Sequence, residues 1–266
     1  MDTIKAAELL LDAYRSGVPV APLTETFGDF TPEEAYQVQL HQVDHWRQDG
    51  RTVKGHKVGL TSAAMRRQMG VDQSDYGHLM DAMFHSDADP IDAGRFLQPR
   101  IEPEIAFVLG HDLAGPGVSA AAAIAAVEFV LPALELIDSR IKDWKITLPD
   151  TIADNASSGG VVLGSTPSRL DGLDLALAGC LLARNGRLAE TGAGGAVLGN
   201  PLNALIWLAN TIGEQGVTLR AGDVILPGSI TASIPITAGD TITATYAGLG
   251  TVTAVFAEAS PAGEAA

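Results

Sequence analysis

The chain lacks the groups that crosslinks, soft-metal sites and membrane spans require. Its 266 residues include a single cysteine, Cys180, which excludes an intrachain disulfide and a cysteine-based zinc site. No run of about 18 or more apolar residues occurs, so we expect no membrane span. Charged side chains interrupt the apolar pattern of residues 1–14, whereas a secretory signal needs an uncharged apolar core there. We therefore expect a cytoplasmic protein.

Positive charge is also scarce. The chain has 17 lysines and arginines against 32 aspartates and glutamates, which gives a formal net charge of -15 at pH 7. Such a surface repels nucleic-acid backbones and anionic membranes, so we expect neither as a partner. An acidic substrate would need a local cation, either a metal ion or a few placed basic side chains. The hydrophobic content of 46% is sufficient for a large core.

The N-terminal part has the periodicity of helices, and strand patterns follow it. Apolar residues recur at helical spacing over residues 4–14, and Thr31 and Glu34 predict a capping box at the start of a second helix. Residues 53–59 and 101–109 are strand candidates, the second because apolar residues occupy alternate positions.

Later segments mix the two kinds of element. Ser119 can cap an alanine-rich helix that extends to about Phe129, and residues 133–137 form a short apolar strand. Asn185-Gly186 predicts a hairpin turn, and Asn200-Pro201 the start of a helix. Alternating apolar residues and turn glycines predict further strands near the C-terminus.

This order of elements predicts an α+β protein. We predict a helical N-terminal portion at residues 1–52, a β-rich catalytic core at 53–258 and a loose tail at 259–266.

Two glutamates stand two positions apart in one strand candidate. Glu102 and Glu104 flank Pro103, and on a strand their side chains point to the same face. Like charges at this spacing repel each other unless a cation lies between them. The simpler interpretation is a solvated acidic face.

Glu135 favours the cation. It lies in the otherwise apolar run 131–137, where a carboxylate must be paired, hydrogen-bonded or metal-bound. Together with Glu102 and Glu104 it would suit a hard cation, Mg²⁺ or Mn²⁺. The alternative is a buried salt bridge, for example with Arg140.

Lys57 and Asp75 are further candidates for chemistry. Lys57 has apolar and glycine neighbours, so it could be desolvated and act as an acid/base group or a carboxylate anchor. Its alternative is a surface lysine with an apolar stem packed on the protein. Asp75 is either a site residue or a turn residue.

Several segments together resemble a known family. The resemblance runs in order from about Lys54 to Phe256 and rests on residues 56–62, 75–77, 99–107, 132–135, 138–141, 153–156 and 197–201. These resemble the 2-keto-4-pentenoate hydratase family of the fumarylacetoacetate hydrolase superfamily. Its relatives include 4-oxalocrotonate decarboxylases and 2-oxohept-4-ene-1,7-dioate hydratases. Pro103 departs from the family pattern and suggests an edge or bulged strand, but both glutamates are retained.

The resemblance implies a mixed-β core of the fumarylacetoacetate-hydrolase type and a homo-oligomer. It implies a Mg²⁺ or Mn²⁺ site at Glu102, Glu104 and Glu135, and it places Lys57 and Asp75 in the catalytic pocket.

The resemblance also makes Ser229 a contact for the substrate, and we expect Leu60 to bind it as well. It further allows a complex with a downstream aldolase or a decarboxylase.

The implied reaction is hydration of 2-hydroxypenta-2,4-dienoate or a close homologue to a 4-hydroxy-2-oxo acid. Such enzymes act in the meta-cleavage breakdown of aromatic or steroid compounds. One alternative is decarboxylation of 4-oxalocrotonate, which the same ligands would serve. Another is C–C hydrolysis of an acylpyruvate, which needs a histidine-activated water, and His78 has no obvious position for it. A third is a non-catalytic partner subunit. The substrate side chain is not specified by these residues.

Overall fold

The structure, a computed structural model, describes residues 1–63, 66–67, 70–87 and 89–258. The α-helices are α1 (Thr3–Ser16), α2 (Leu23–Phe27), α3 (Pro32–Gln48), α4 (Ala120–Ala126), α5 (Leu148–Ala153) and α6 (Pro201–Gly213). The strands are β1 (Val53–Gly59), β2 (Asp75–Met80), β3 (Phe84–His85), β4 (Arg100–Leu109), β5 (Leu113–Ala114), β6 (Val127–Ile137), β7 (Ser158–Leu163), β8 (Gly179–Arg184), β9 (Arg187–Ala193), β10 (Thr218–Leu219), β11 (Val224–Leu226), β12 (Ile234–Pro235), β13 (Thr241–Tyr246) and β14 (Gly250–Val255). The α+β prediction is confirmed, and the predicted tail lies outside the described residues.

Two predicted signals, at the end of α1 and the start of α3, are confirmed, whereas α2 was not predicted. Gly17 ends α1 in the left-handed conformation, with φ of 69°. Thr31 and Glu34 form the predicted reciprocal capping box at the start of α3. None of the helices in the described ranges combines the length and the apolar character of a membrane span.

Most strands belong to two sheets. The larger has the order β2-β1-β11-β4-β6-β7-β3, with β12 also paired to β4, and it mixes parallel and antiparallel pairs. The smaller has the order β14-β13-β8-β9, and β5 pairs separately with β10. Strands β1, β4 and β6 lie in the larger sheet, so the predicted site residues of three chain segments share one surface.

The alanine-rich helix is shorter than predicted. It ends at Ala126, and the chain continues as one long strand, β6, through Ile137. Val127 already pairs with Leu109 of β4, so tertiary pairing overrides the local helical preference there. Strands β2 and β7 were also missed, because residues 75–80 and 158–163 show no clear alternation of apolar and polar side chains.

The helices α1 and α3 pack against residues from the catalytic half of the chain. One apolar cluster joins Leu10 and Val38 to Ile141 and Ile152. The side-chain amide of Gln39 on α3 donates to the carbonyl oxygen of Ile152 at 2.8 Å. A boundary at residue 52 stays a prediction.

Strand β4 accommodates Pro103 without a bulge at that position. On one side, Pro103 pairs in register with Leu134 of β6. On the other side of β4, β12 pairs with residues 100–101 and β11 pairs with residues 107–108. Between these two pairings, no described strand pairs with that side of β4. The missing N–H therefore costs no strand hydrogen bond. The edge interpretation is locally correct.

Candidate active site

Three carboxylates converge on the surface shared by β4 and β6. Glu102 and Glu135 are directly paired across the two strands, and Glu104 follows on the same face as Glu102. One oxygen atom from each lies within 4.8 Å of the others. Glu104 and Glu135 are fully buried, and Glu102 is half-buried. The predicted convergence is confirmed, whereas the role of these residues as metal ligands stays a prediction.

The hydrogen bonding of these carboxylates fits a bound divalent cation. The backbone N–H of Gly228 donates to Glu104 Oε2 at 2.7 Å. Glu104 Oε1 and Glu135 Oε2 are buried and have no hydrogen-bond partner, and Glu135 Oε1 has only the ammonium group of Lys57 at 3.3 Å. Buried acceptors are normally satisfied, because losing water without a replacement partner is costly. Oxygen atoms that converge and lack donors are suitable ligands for a hard cation.

Without a cation the cluster favours protonation. Burial, followed by the charge of Glu135, raises the pKa of Glu102 to about 7. The same two causes raise the pKa of Glu104 well above its usual value, and burial raises that of Glu135. A divalent cation has the opposite effect, since it favours the charged form of every carboxylate that it contacts.

Lys57 on β1 faces the cluster. Its side chain is only 5% exposed, and Nζ lies 3.3 Å from Glu135 Oε1. Burial by itself would lower the pKa of Lys57, but the charges of Glu135, Asp75 and other carboxylates outweigh burial and raise it. The ammonium group therefore remains charged. The surface-lysine interpretation is wrong.

The salt bridge suggested for Glu135 has a different partner. Glu135 pairs with Lys57, whereas Arg140 donates from Nε to Asp154 Oδ1 at 2.6 Å. Arg140 also donates to the carbonyl oxygens of Asp154 and Ser158. It therefore joins the segment after β6 to the start of β7 and takes no part in the carboxylate cluster.

Asp75 is the first residue of β2 and is 1% exposed, so the turn interpretation is wrong. Thr151 donates from Oγ1 to Asp75 Oδ2 at 3.2 Å, while Oδ1 is buried without a hydrogen-bond partner. Gly59 lies opposite Asp75 in the ladder, and a Cβ atom at Gly59 would collide with Oδ1. Burial raises the pKa of Asp75, and the charge of Lys57 opposes that rise. An unpaired oxygen on a carboxyl with a raised pKa can accept a proton.

The two expected substrate contacts lie in loops beside these groups. Leu60 follows β1 with φ of 55° and is half-buried, and its carbonyl oxygen accepts a hydrogen bond from Arg66 Nη1 at 2.8 Å. Ser229 follows Gly228, whose N–H binds Glu104, and its hydroxyl donates to the carbonyl oxygen of Thr231. Contact of either residue with a substrate stays a prediction.

Sequence reasoning missed three residues that support the site. Thr151 and Gly228 hold the carboxylates of Asp75 and Glu104, as described above. The hydroxyl of Tyr246, from β13 in the smaller sheet, lies 2.7 Å from the carbonyl oxygen of Glu104 and 3.1 Å from that of Ala133. Gly228 could have been found from the sequence, because it is adjacent to the expected contact Ser229. The contacts of Thr151 and Tyr246 join segments more than 70 positions apart and leave no local signal.

His78 is turned away from Lys57. Its Nδ1 lies 2.8 Å from Gln39 Oε1, and its ring lies against that of His56, with centroids 4.9 Å apart. His56 and Lys57 are adjacent in β1 and so face opposite sides of the sheet. His78 does not supply the histidine-activated water that acylpyruvate hydrolysis would need.

Comparisons with known proteins bear on the family and the fold of the chain. Residues 52–257 match the family model described as fumarylacetoacetate (FAA) hydrolase C-terminal. The chain is 46% identical to a TodF product hydratase of Pseudomonas putida, over 96% of this chain and 95% of that one. It is 45% identical to a 2-keto-4-pentenoate hydratase of Paraburkholderia xenovorans, over 95% and 94% of the two chains. Among solved structures, a 4-oxalocrotonate decarboxylase from Pseudomonas putida G7, complexed with magnesium and adipate, has a TM-score of 0.92 at 38% identity. That alignment covers 96% of this chain and 97% of the decarboxylase, which confirms the expected fold.

Proposed function

The chain belongs to the 2-keto-4-pentenoate hydratase family of the fumarylacetoacetate hydrolase superfamily, and from this premise we propose that it is a metal-dependent hydro-lyase. Its substrate is 2-hydroxypenta-2,4-dienoate or a close homologue, and its product is a 4-hydroxy-2-oxo acid. The reaction belongs to the meta-cleavage breakdown of aromatic or steroid compounds. The observation that carries the proposal is the buried carboxylate cluster with Lys57 beside it.

Glu102, Glu104 and Glu135 would hold a divalent cation. When bound there, the cation supplies positive charge that stabilises negative charge on the carboxylate and the 2-oxygen of the substrate. The all-oxygen ligand set favours a hard ion, and we expect Mg²⁺ or Mn²⁺.

Lys57 supplies a second, permanent positive charge. Burial and the surrounding carboxylates leave it little freedom to move, so it is positioned before the substrate arrives. An anionic substrate approaching a chain of net charge -15 is attracted by this local charge. The positive charge of Lys57 thereby stabilises the negative charge of the enolate that develops during the reaction.

Asp75 is the residue that we expect to move protons. Its Oδ1 accepts the proton of the 2-hydroxyl group and returns it to C5, which gives a 2-oxo-3-enoate. Water then adds its oxygen to C4, and Asp75 takes one proton from that water and passes it to C3. The net change is the addition of one water molecule, and Asp75 ends in its starting protonation state.

Several properties of the working enzyme stay predictions. We expect a homo-oligomer, and a complex with a downstream aldolase or a decarboxylase is a further expectation of the family resemblance. A cytoplasmic location is expected because the chain has a single cysteine. Leu60 and Ser229 are proposed as substrate contacts.

Decarboxylation of 4-oxalocrotonate is the second candidate. The observation in its favour is the similarity of the whole chain to a 4-oxalocrotonate decarboxylase, with a TM-score of 0.92. Loss of CO₂ from that substrate leaves the same kind of dienolate, so one set of residues can stabilise both reactions. The hydratase is preferred because the two relatives described above share 45–46% identity with the chain and both are hydratases.

The test is a product assay with both substrates. The purified protein, supplied with Mg²⁺, is incubated separately with 2-hydroxypenta-2,4-dienoate and with 4-oxalocrotonate. We expect 4-hydroxy-2-oxopentanoate from the first and little CO₂ from the second. Asp75→Asn should abolish product formation, whereas Asp72→Asn, at an exposed position nearby, should not. Dominant release of CO₂ would make the protein a decarboxylase, and no turnover of either substrate would contradict both enzymatic proposals.

A further inference from the structure

A cavity apart from the carboxylate cluster lies between the N-terminal helices and the larger sheet. Its volume is about 640 Å³, and its wall includes parts of α1, the end of α3, residues 80–85 and residues 94–96. Among the described residues that line it, none is a carboxylate of the active-site cluster, Lys57 or Asp75. We propose that this cavity binds a small organic or inorganic dianion through Arg51, Arg95 and Tyr14.

The wall of the cavity is unusually basic for this chain. Arg15, Arg51 and Arg95 reach it from three separate segments, although acidic residues outnumber basic ones 32 to 17. Two aspartates also line the cavity, but both are engaged. The carboxylate of Asp138 accepts from the backbone N–H groups of residues 97 and 98, and Asp49 lies 3.6 Å from His45.

In the described ranges, neither Arg51 nor Arg95 forms an ion pair within 4.0 Å. Arg51 acts at longer range on the exposed Asp81, whose carboxylate accepts from Thr52. In the ranges that the structure describes, arginine ion pairs involve other arginines, including Arg15 with Asp12. Both side chains are exposed, and an anion in the cavity would be attracted by the charge of each. Each presents a planar set of donors that matches a carboxylate or phosphate group, so both are available for a ligand.

Tyr14 adds a buried donor to the same cavity. Its hydroxyl oxygen is buried and has no hydrogen-bond partner, which is uncommon in proteins. The guanidinium carbon of the buried Arg140 lies 4.3 Å from the centre of the Tyr14 ring, but its charge is balanced by the ion pair with Asp154. Burial raises the pKa of Tyr14, so the hydroxyl keeps its proton and donates. A ligand oxygen would satisfy it.

These features define the class of ligand. The cavity is within the size range of small-molecule sites, about 300–1,000 Å³. Two guanidinium groups and one neutral hydroxyl donor favour two negative charges on a compact molecule, such as a phosphate or a short dicarboxylate. Because the site lies apart from the carboxylate cluster, such a ligand does not compete with the substrate for it.

The test is calorimetric titration of the full chain with inorganic phosphate and, separately, with succinate. The protein is first freed of metal with a chelator and dialysed, so that a cation in the active site cannot recruit the anion. The ionic strength is kept at about 10 mM, where charges are weakly screened. We expect at least one of the two probes to bind with a Kd below about 1 mM.

Variants locate the binding. Arg51→Gln combined with Arg95→Gln should weaken binding by at least about 10-fold, and Tyr14→Phe should weaken it by a smaller factor. Arg169→Gln combined with Arg187→Gln makes the same change in net charge at exposed positions and should leave the Kd unchanged. Arg95→Gln alone, at an exposed position, serves if the double variant does not fold.

Three results would overturn the proposal. The first is that neither probe binds the wild-type chain. The second is that both double variants weaken binding equally, and the third is that the Arg51 and Arg95 variants bind as tightly as the wild type. Sedimentation of the same variants gives a further check. A change in oligomeric state without dianion binding by the wild type would make the cavity a contact between copies of the chain instead.

Discussion

Replacement of Lys57 by Met separates a catalytic lysine from a structural one. Met retains much of the apolar stem and removes the charge, which leaves Glu135 without its ion-pair partner. At the observed 3.3 Å and an effective dielectric constant of about 20, the attraction between the two charges is about 5 kcal/mol. The cost of removing both groups from water offsets part of this attraction.

The expected loss of stability in Lys57→Met comes from Glu135, which remains buried after its partner is removed. Removing one member of a buried ion pair typically costs about 3–5 kcal/mol, because the other group is left as an uncompensated charge or must take up a proton. We expect a loss of this size in the metal-free protein, measured by urea denaturation at equal protein concentrations. Lys54→Met is the matched control. Lys54 lies on the same strand and is exposed, so its replacement should change stability by less than about 0.5 kcal/mol.

The catalytic effect is measured with Mg²⁺ present, where the variant is folded. Loss of a charge that stabilises the developing enolate should lower kcat by about 10²-fold or more, with KM changed less. A rise in KM alone would make Lys57 a carboxylate anchor. Wild-type kcat in the folded Lys57→Met protein would refute the proposed role.

Three further predictions concern the metal, the pH dependence and the position of Asp75. Exhaustive chelation should abolish turnover, and Mg²⁺ or Mn²⁺ should restore it better than Zn²⁺; full activity without metal would contradict the carboxylate site. In the metal-free protein, burial raises the pKa of Glu102 from 4.5 to about 7. Its contribution to stability is therefore fully present below about pH 4.5 and is lost as the pH rises through about 7. Denaturation midpoints should fall over this range more steeply in the wild type than in Glu102→Gln, and equal slopes would disprove the shift. Gly59→Ala should displace Asp75 and lower kcat at least about 10-fold without weakening metal binding, whereas Gly179→Ala, whose added Cβ meets no atom within 4 Å, should have little effect.

Local signals predicted the end of α1 and the start of α3, but not the end of α4 or the length of β6. The capping box at Thr31 and Glu34 and the glycine after α1 involve contacts within a few residues, so the sequence alone contains them. Strand β6 extends through residues that follow an alanine-rich helix, because β4 supplies a partner that is distant in the sequence. Asp75 illustrates the same limit, since a polar residue near glycine has the local signature of a turn.

The sequence by itself singled out the residues that we propose to carry the chemistry. The signals were local departures from the usual pattern of apolar core and polar surface. They are two glutamates at strand spacing, a third glutamate in an apolar run and a lysine among glycines. Only the tertiary structure decided how they act together. The pairing of β4 with β6 sets Glu102 opposite Glu135. The ion-pair partner of Glu135 is Lys57 of β1, and not Arg140. These contacts join residues more than 30 positions apart, and their distances depend on strand register, which is fixed by the packing of the whole sheet.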